Sequence, residues 1–248
     1  PRELLGLVER LREGGHLNSE EDCQAALGAL GKCKARNAWE EAVRVVASMR
    51  QHGPPPGARH YTAAISACRR GGAWAEAVAL HDDMAVAGLA RNEFTYCALI
   101  GACDGGGRWD LAVHLLGAMR REALPPNLRA YTTAIGACGS AAHWLRALEL
   151  LGAACDEGLT PDVRAFTAAI SACEKGRQWR SAVHLLETME AASVAVDEVT
   201  CNAVISACEK CRQWQGALRL LAEFPARSLA PTIVSFSAAI SALERLHE

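Results

Sequence analysis

The amino-acid sequence predicts an all-α fold, an α-solenoid of stacked helix-turn-helix repeats, and two observations carry this prediction. First, the same residue types recur along the chain with a constant step of 35 residues. Second, the apolar residues within each step follow the spacing of two amphipathic helices. A single core does not impose such regular spacing, whereas stacked units do, because each unit buries the same face against its neighbour.

Four residue types keep the 35-residue step. All six tryptophans follow it: Trp39, Trp74, Trp109, Trp144, Trp179 and Trp214. Three residues after each lies an alanine: Ala42, Ala77, Ala112, Ala147, Ala182 and Ala217. Six residues before each lies a cysteine: Cys33, Cys68, Cys103, Cys138, Cys173 and Cys208. Ten residues after four of them lie the methionines: Met49, Met84, Met119 and Met189. We interpret all four types as core residues, since alanine permits close helix contact and a free thiol behaves as a small hydrophobe.

Each unit is predicted to be a helical hairpin. From Tyr61, apolar residues recur at the third, fourth and seventh following positions, which is the stripe of one amphipathic helix. From Trp74 a similar series predicts a second helix, and the glycines at 71–72 separate the two. Links that contain glycine and proline, such as residues 158–161, are typical helix stops and end the hairpins.

The repeats predict one continuous solenoid domain. Its expected parts are a capping helix (1–22), a degenerate repeat (23–57), five repeats (58–92, 93–127, 128–162, 163–197 and 198–232) and a half repeat or cap (233–248). An apolar stripe that begins at Leu4 predicts the capping helix. The run from Ser19 to Asp22 resembles an N-terminal capping signal for the helix that follows.

The composition is that of a globular chain, with 50% hydrophobic and 22% charged residues and a formal net charge of -2. This balance argues against disorder, and no apolar run reaches the ~18 residues that a membrane-spanning helix needs. The cysteines number 11, which favours reduced thiols over a full disulfide framework. The pair Cys208 and Cys211 lacks the second pair that a structural zinc site needs, so we expect neither a metal nor a cofactor.

The repeat resembles the pentatricopeptide repeat. The resemblance rests on the 35-residue hairpin, an aromatic residue in the first helix, a late methionine in the second, and the link Gly158-Leu159-Thr160-Pro161-Asp162. It covers roughly residues 58–248. Tryptophan opens the second helix here, where most pentatricopeptide repeats have leucine, and this uniform departure indicates a subfamily. The tetratricopeptide repeat is the nearest alternative, but its period is 34 residues and its tryptophan lies in the first helix.

The resemblance implies a right-handed superhelix that binds single-stranded RNA, one base per repeat, in organellar RNA processing, stability or editing in a mitochondrion or chloroplast. Two residues per repeat, which we call a reading pair, would contact each base. The pairs lie twelve residues before and eighteen after each tryptophan from Trp74 onward: Thr62 with Asn92, Cys97 with Asn127, Thr132 with Asp162, Thr167 with Asp197, and Asn202 with Thr232. By the family's rules they favour, from the 5′ end, adenine, an undefined base, guanine, guanine and a pyrimidine.

Two further sets of residues complete the implied site. Residues fifteen before each tryptophan position would stack on the bases: Arg59, Phe94, Arg129, Arg164, Val199 and Val234. Residues four before a tryptophan would contact phosphates: Arg70, Lys175 and Lys210. About three phosphate contacts on a single strand predict a shallow salt dependence of binding, with a logarithmic slope of about -2.

The residues themselves leave two alternatives open. The second residue of each reading pair stands just before a first helix, where Asn, Asp and Thr are favoured as N-caps. Capping does not explain the first residue of each pair, because Thr and Asn are mediocre helix formers inside a helix. The solenoid could also be a scaffold with a protein partner on its concave face, which the near-neutral net charge would suit.

The sequence predicts a binding protein and not an enzyme. Relatives that edit RNA carry a deaminase domain with His-x-Glu and Pro-Cys-x-x-Cys motifs. Here His114 and His184 are each followed by two leucines, and Ala207 precedes Cys208. A phosphate-binding loop of the Gly-x-x-x-x-Gly-Lys type does not occur either.

Overall fold

The computed structural model describes residues 19–33, 35 and 37–244, and all regular structure in these residues is helical. Six helices precede residue 127: α1 (Glu20–Lys32), α2 (Ala38–His52), α3 (Ala58–Gly71), α4 (Trp74–Val86), α5 (Glu93–Gly105) and α6 (Trp109–Arg121). Seven follow it: α7 (Leu128–Ser140), α8 (Trp144–Asp156), α9 (Val163–Lys175), α10 (Trp179–Ala191), α11 (Glu198–Lys210), α12 (Trp214–Ala222) and α13 (Ile233–Glu244). A 3-10 turn, Pro225–Arg227, lies between α12 and α13.

The helices form two compact units, residues 1–126 and residues 127–248. In the first unit the odd-numbered helices α1, α3 and α5 pack in a row, and α2 and α4 each pack against the two odd-numbered helices that flank them in sequence. The second unit repeats this pattern with α7, α9, α11 and α13 in the row. We call the odd-numbered helices the first helices and the even-numbered ones the second helices. Each unit is therefore a stack of helical hairpins, and the predicted all-α solenoid is confirmed.

The periodic residues fill the core as predicted, with one exception. All six periodic alanines have 0% exposure, the four methionines are buried, and five of the six periodic cysteines are buried, with Cys33 half-buried. The tryptophans are only half-buried. Three of the rings lie over a glycine at the end of the next first helix, where an added Cβ would collide with the ring. Three pairs show this contact: Trp39 with Gly71, Trp74 with Gly106, and Trp144 with Gly176. These three tryptophans thus contact the neighbouring repeat and only partly belong to the core.

After each helix from α3 to α11, and after the 3-10 turn, the backbone reverses through one residue in the left-handed region. Glycine occupies four of these places: Gly72, Gly88, Gly107 and Gly158. Six others carry a side chain there: Ala123, Ala142, Arg177, Ser193, Arg212 and Ser228. At Gly158 the amide N–H bonds to the carbonyl of Cys155 at 2.9 Å, and the next amide bonds to that of Ala154 at 3.0 Å. These bonds satisfy carbonyls that the helix end leaves without partners.

The two ends of the described chain agree with the sequence only in part. The hydroxyl of Ser19 accepts a hydrogen bond from the amide of Asp22 at 3.1 Å, so the predicted capping signal is confirmed. The helix it caps, α1, begins at Glu20 and therefore crosses the expected boundary between residues 22 and 23. The remainder of the predicted capping helix, residues 1–18, lies outside the described residues, as do residues 245–248 of the expected half repeat.

In the part of the chain that the structure describes, every helix is too short or too polar to cross a membrane. The longest, α2, has 15 residues.

Candidate nucleic-acid interface

The first helices of both units carry the predicted stacking residues at exposed positions. Phe94 is 67% exposed, and Val199 and Val234 are each 63% exposed. The other three members of the set are also exposed: Arg59, Arg129 and Arg164. Five of the six, all except Val234, lie three residues before the first member of a reading pair, a spacing that places both on one face of the helix. Large apolar side chains at high exposure are available to stack on a ligand.

The second residue of four reading pairs caps a first helix. Its side-chain oxygen accepts a hydrogen bond from the backbone amide three residues later, at 2.9 Å for Asn92, 3.0 Å for Asn127, 2.9 Å for Asp162 and 2.8 Å for Asp197. Thr232 differs, because its own amide donates to the hydroxyl of Ser235 at 3.1 Å. The capping interpretation is therefore correct for four residues. It does not exclude reading, since each cap leaves the second polar atom of its side chain unused by the capping bond.

The first residue of three reading pairs is a threonine whose hydroxyl bonds back into its own helix. Thr62, Thr132 and Thr167 donate to the carbonyls of the residues four positions earlier, at 2.8, 2.8 and 2.7 Å. A hydroxyl has one proton and two lone pairs. Each threonine therefore offers a lone pair, and not a proton, to a base placed against it.

Cys97 is the reading-pair residue least available to a ligand. It is only 5% exposed, whereas the first residues of the other four pairs are half-buried. A thiol is also a weak hydrogen-bond donor and a weak acceptor. The repeat that contains Cys97 is thus the one from which we expect the weakest base preference.

Three buried hydroxyls, which the sequence analysis missed, touch the reading pairs. Thr95, Thr200 and Ser235 each occupy the third position of a first helix, and all three are 0% exposed. Their oxygens lie 2.9 Å from Thr62 Oγ1, 2.8 Å from Thr167 Oγ1 and 2.6 Å from Asn202 Oδ1, respectively. The signal in the sequence was the shared register position of these three polar residues, one place after the stacking residue.

The predicted phosphate contacts differ in their surroundings. Arg70 and Lys175 are exposed. The ammonium of Lys210 lies 2.8 Å from Glu174 Oε1, which also accepts a hydrogen bond from the hydroxyl of Ser206 at 2.8 Å. The carboxylate partly neutralises Lys210, so the positive charge available to a phosphate is lower there than at the other two sites.

The buried thiols are unsuited to nucleophilic chemistry. Burial raises the pKa of Cys68 and Cys103 to about 12, and that of Cys138, Cys173, Cys201 and Cys208 to about 11. Because the thiolate is the reactive form, these thiols stay protonated and inert at neutral pH. The second thiol of the Cys-x-x-Cys pair, Cys211, donates to the carbonyl of Arg177 at 3.1 Å. Within residues 19–33, 35 and 37–244, no group of three potential metal ligands occurs.

The stacked helical hairpins define the class of the protein as a helical-repeat solenoid. Comparison with known families identifies the repeat family. The pentatricopeptide repeat domain matches residues 79–141 and 184–245, which together make up half of the chain. The shorter PPR repeat matches residues 59–89 and 164–194. The chain therefore belongs to the pentatricopeptide repeat family, as its repeat predicted.

Several solved structures share the fold. The pentatricopeptide repeat protein PPR10 from maize is 24% identical with a TM-score of 0.73, over 95% of this chain and 33% of that one. PPR10 in complex with an 18-nt psaJ RNA element is 19% identical with a TM-score of 0.53, over 98% of this chain and 40% of that one. The PPR domain of Arabidopsis thaliana protein-only RNase P 1, in complex with tRNA, is 14% identical with a TM-score of 0.60, over 73% of this chain and 95% of that one.

The chain spans about a third of the length of PPR10. A search among curated proteins gave no significant match.

Proposed function

We propose that this chain binds single-stranded RNA through its first helices, with one reading pair for each base. The observation that carries the proposal is the regular placement, on one face of the first helices, of an exposed stacking residue beside a reading pair, with seven of the ten reading-pair side chains hydrogen-bonded to the backbone. Base recognition requires such groups in fixed positions, with a surface on which the base can stack. The RNA complexes of PPR10 and of the RNase P 1 domain support the same use of the fold.

The reading pairs also supply complementary chemistry for the expected bases. Thr167 offers a lone pair, and the carboxylate of Asp197 can only accept hydrogen bonds. Two acceptors suit the Watson–Crick edge of guanine, which carries N–H donors. In the pair of Thr62 and Asn92, the amide oxygen of Asn92 accepts from the backbone, which leaves its NH₂ group as a donor. One acceptor and one donor suit the edge of adenine.

We also propose that the chain acts by binding and not by catalysis. Seven of the ten reading-pair side chains are hydroxyls, amides and carboxylates that already have backbone partners, which suits recognition. The buried thiols stay protonated at neutral pH, since burial raises the pKa of Cys173 and Cys208 to about 11.

A titration with short synthetic RNAs tests the proposal. One RNA carries the tract adenine, cytosine, guanine, guanine, cytosine, and a second replaces both guanines by adenine. We expect the first RNA to bind more tightly, with a logarithmic salt slope between about -1.4 and -2, corresponding to about two or three phosphate contacts. The shallower slope of about -1.4 applies if the ion pair with Glu174 keeps Lys210 from the phosphate.

Two results would contradict the proposal. Equal affinity for both RNAs would remove base reading, and a salt slope of zero would favour the protein-binding scaffold. Val183→Ala provides a matched control variant, because Val183 lies on the second helix α10, away from the reading pairs. RNA affinity of this variant should equal that of the wild type.

A further inference from the structure

The three buried hydroxyls at the third position of α5, α11 and α13 each belong to the repeat that follows the pair they touch. Thr200 shows the arrangement most clearly. Its Oγ1 lies 2.6 Å from Asp197 Oδ1 and 2.8 Å from Thr167 Oγ1. One hydroxyl thus lies within hydrogen-bond distance of both members of one reading pair, across a sequence separation of 33 residues from Thr167.

The proton count fixes the direction of these bonds. A carboxylate can only accept, so the single proton of Thr200 goes to Asp197. The proton of Thr167 then goes either to Thr200 or to the carbonyl of Val163, which lies 2.7 Å away. In both cases Thr167 has only lone pairs left for a base. One oxygen of the Asp197 carboxylate accepts from two donors, the amide and the hydroxyl of Thr200, so the orientation of the whole carboxylate is fixed.

Thr95 makes the same contacts three repeats earlier. Its Oγ1 lies 2.9 Å from Thr62 Oγ1 and donates to Asn92 Oδ1 at 2.9 Å, while its amide donates to the same oxygen at 2.9 Å. Two donors on one oxygen fix which end of the Asn92 side chain is the carbonyl and leave the NH₂ group as the donor. An amide that could flip would present either an acceptor or a donor and would not distinguish adenine from guanine.

Ser235 connects the two members of the pair Asn202 and Thr232, with different hydrogen bonds. Its hydroxyl donates to Asn202 Oδ1 at 2.6 Å and accepts from the amide of Thr232 at 3.1 Å, and the hydroxyl of Thr232 lies 3.2 Å away. The proton of Ser235 is used by Asn202, so the amide orientation of Asn202 is also set from the next first helix.

We propose that Thr95, Thr200 and Ser235 are positioning residues for base reading: each holds the reading pair of the preceding repeat in one hydrogen-bonding state and thereby sets how strongly that repeat discriminates between bases. This inference rests on the proposed RNA binding. It adds a third determinant to each pair, supplied by the neighbouring repeat and buried away from the RNA.

The chain contains its own control for this proposal. The pair of Thr132 and Asp162 is chemically identical to that of Thr167 and Asp197, but the third position of the following helix is Ala165. Asp162 Oδ1 accepts from the amide of Ala165 at 2.9 Å, and the hydroxyl that Thr200 supplies to Asp197 has no counterpart at an alanine. Both pairs are expected to read guanine, so the two guanines of one RNA report on pairs that differ by this hydroxyl.

The test measures affinity for the tract adenine, cytosine, guanine, guanine, cytosine and for variants with adenine at either guanine. We expect the wild type to discriminate more strongly at the second guanine, which Thr167 and Asp197 read, than at the first, by roughly three- to tenfold, the factor of one hydrogen bond. Thr200→Val keeps the side-chain shape. It should lower discrimination at the second guanine to the level seen at the first, while discrimination at the first guanine is unaffected.

Two more variants separate positioning from stability. Thr200→Ser keeps the hydroxyl and should restore discrimination at the second guanine, and Ala165→Thr should raise discrimination at the first guanine by a similar factor. Circular dichroism and thermal unfolding establish that each variant is folded. A purely structural role would lower affinity for all RNAs together and would leave the ratio between matched and mismatched RNA unchanged.

The outcomes distinguish this inference from the function on which it rests. If the wild type discriminates at both guanines but Thr200→Val leaves the ratio at the second guanine unchanged, or lowers it equally at both, positioning by the buried hydroxyl is wrong and RNA reading stands. If the folded wild type binds none of the RNAs, the proposed function is wrong and this inference is wrong with it.

Discussion

Gly158→Ala and Gly152→Ala form a pair of substitutions with opposite expected effects on stability. Gly158 follows α8 with a φ of +76°, whereas Gly152 lies inside α8. A Cβ added at either position meets nothing within 4 Å. The two substitutions therefore add the same atom to open space, six residues apart, and differ only in the backbone conformation that the new side chain must adopt.

The magnitudes follow from the two backbones. An alanine in the left-handed region costs ~1 to 2 kcal/mol, and the smaller conformational entropy of the unfolded chain offsets ~0.4 to 1 kcal/mol of this. Gly158→Ala should therefore lower the free energy of unfolding by roughly 0.5 to 1 kcal/mol. Gly152→Ala should raise it by about 0.5 to 1 kcal/mol, because alanine is the better helix former.

A third substitution reverses the first. Ala142 holds a φ of +59° at the equivalent place after α7, which shows that the fold accommodates a Cβ there. Ala142→Gly should raise the free energy of unfolding by about 0.5 to 1 kcal/mol through relief of the same strain. Urea unfolding followed by far-UV circular dichroism measures all three variants. Changes of the same sign and size for the two glycine substitutions would show that backbone conformation does not govern stability at the repeat ends.

Three further predictions concern the site, the thiols and pH. Thr167→Asn should move the preference of one repeat from guanine toward a pyrimidine and leave the other bases alone; a competition assay with single-base RNA variants checks this, and a uniform loss of affinity would contradict it. Alkylation at mildly alkaline pH should modify Cys155, which is exposed, well before the buried periodic cysteines, whose pKa burial raises to about 11 or 12; mass spectrometry of the peptides would show the opposite order if the core were open. Burial lowers the pKa of His81 below its unfolded value of about 6.5, so the folded state binds fewer protons and stability is lost as pH falls below about 6.5. Replacing His81 by phenylalanine should flatten that pH dependence in chemical unfolding, whereas replacing the exposed His114 should not.

The fold was predictable because its determinants repeat. Each repeat buries the same face, so Ala77 or Met84 could be assigned from spacing alone. Capping by Asp162 and Asp197 was equally accessible, since a cap depends on a local run of residues. The half-burial of the tryptophans was not accessible, because it depends on what lies across the repeat boundary, such as Gly106 beneath Trp74.

The site divides in the same way. The first and second members of each reading pair were assigned from the resemblance to the family. Thr200 was missed because its contact with Thr167 joins residues 33 apart, and a threonine inside a helix gives no local sign of such a bond. The ion pair of Lys210 with Glu174 was missed for the same reason, as it joins residues 36 apart. Local hydrogen bonds such as helix caps can be predicted from the sequence, whereas contacts between repeats can be assigned only once the stacking is known.

The bond between Thr167 and Thr200 has a practical consequence for exchanging repeats between proteins of this kind. Thr167 lies in the repeat over 163–197, and its partner lies three residues beyond that repeat's last residue. A graft cut at the repeat boundary would leave the partner behind and place the pair beside whatever residue the host supplies. The smallest portable cassette that preserves the recorded contacts therefore runs from Val163 to Thr200, so that successive cassettes overlap by three residues.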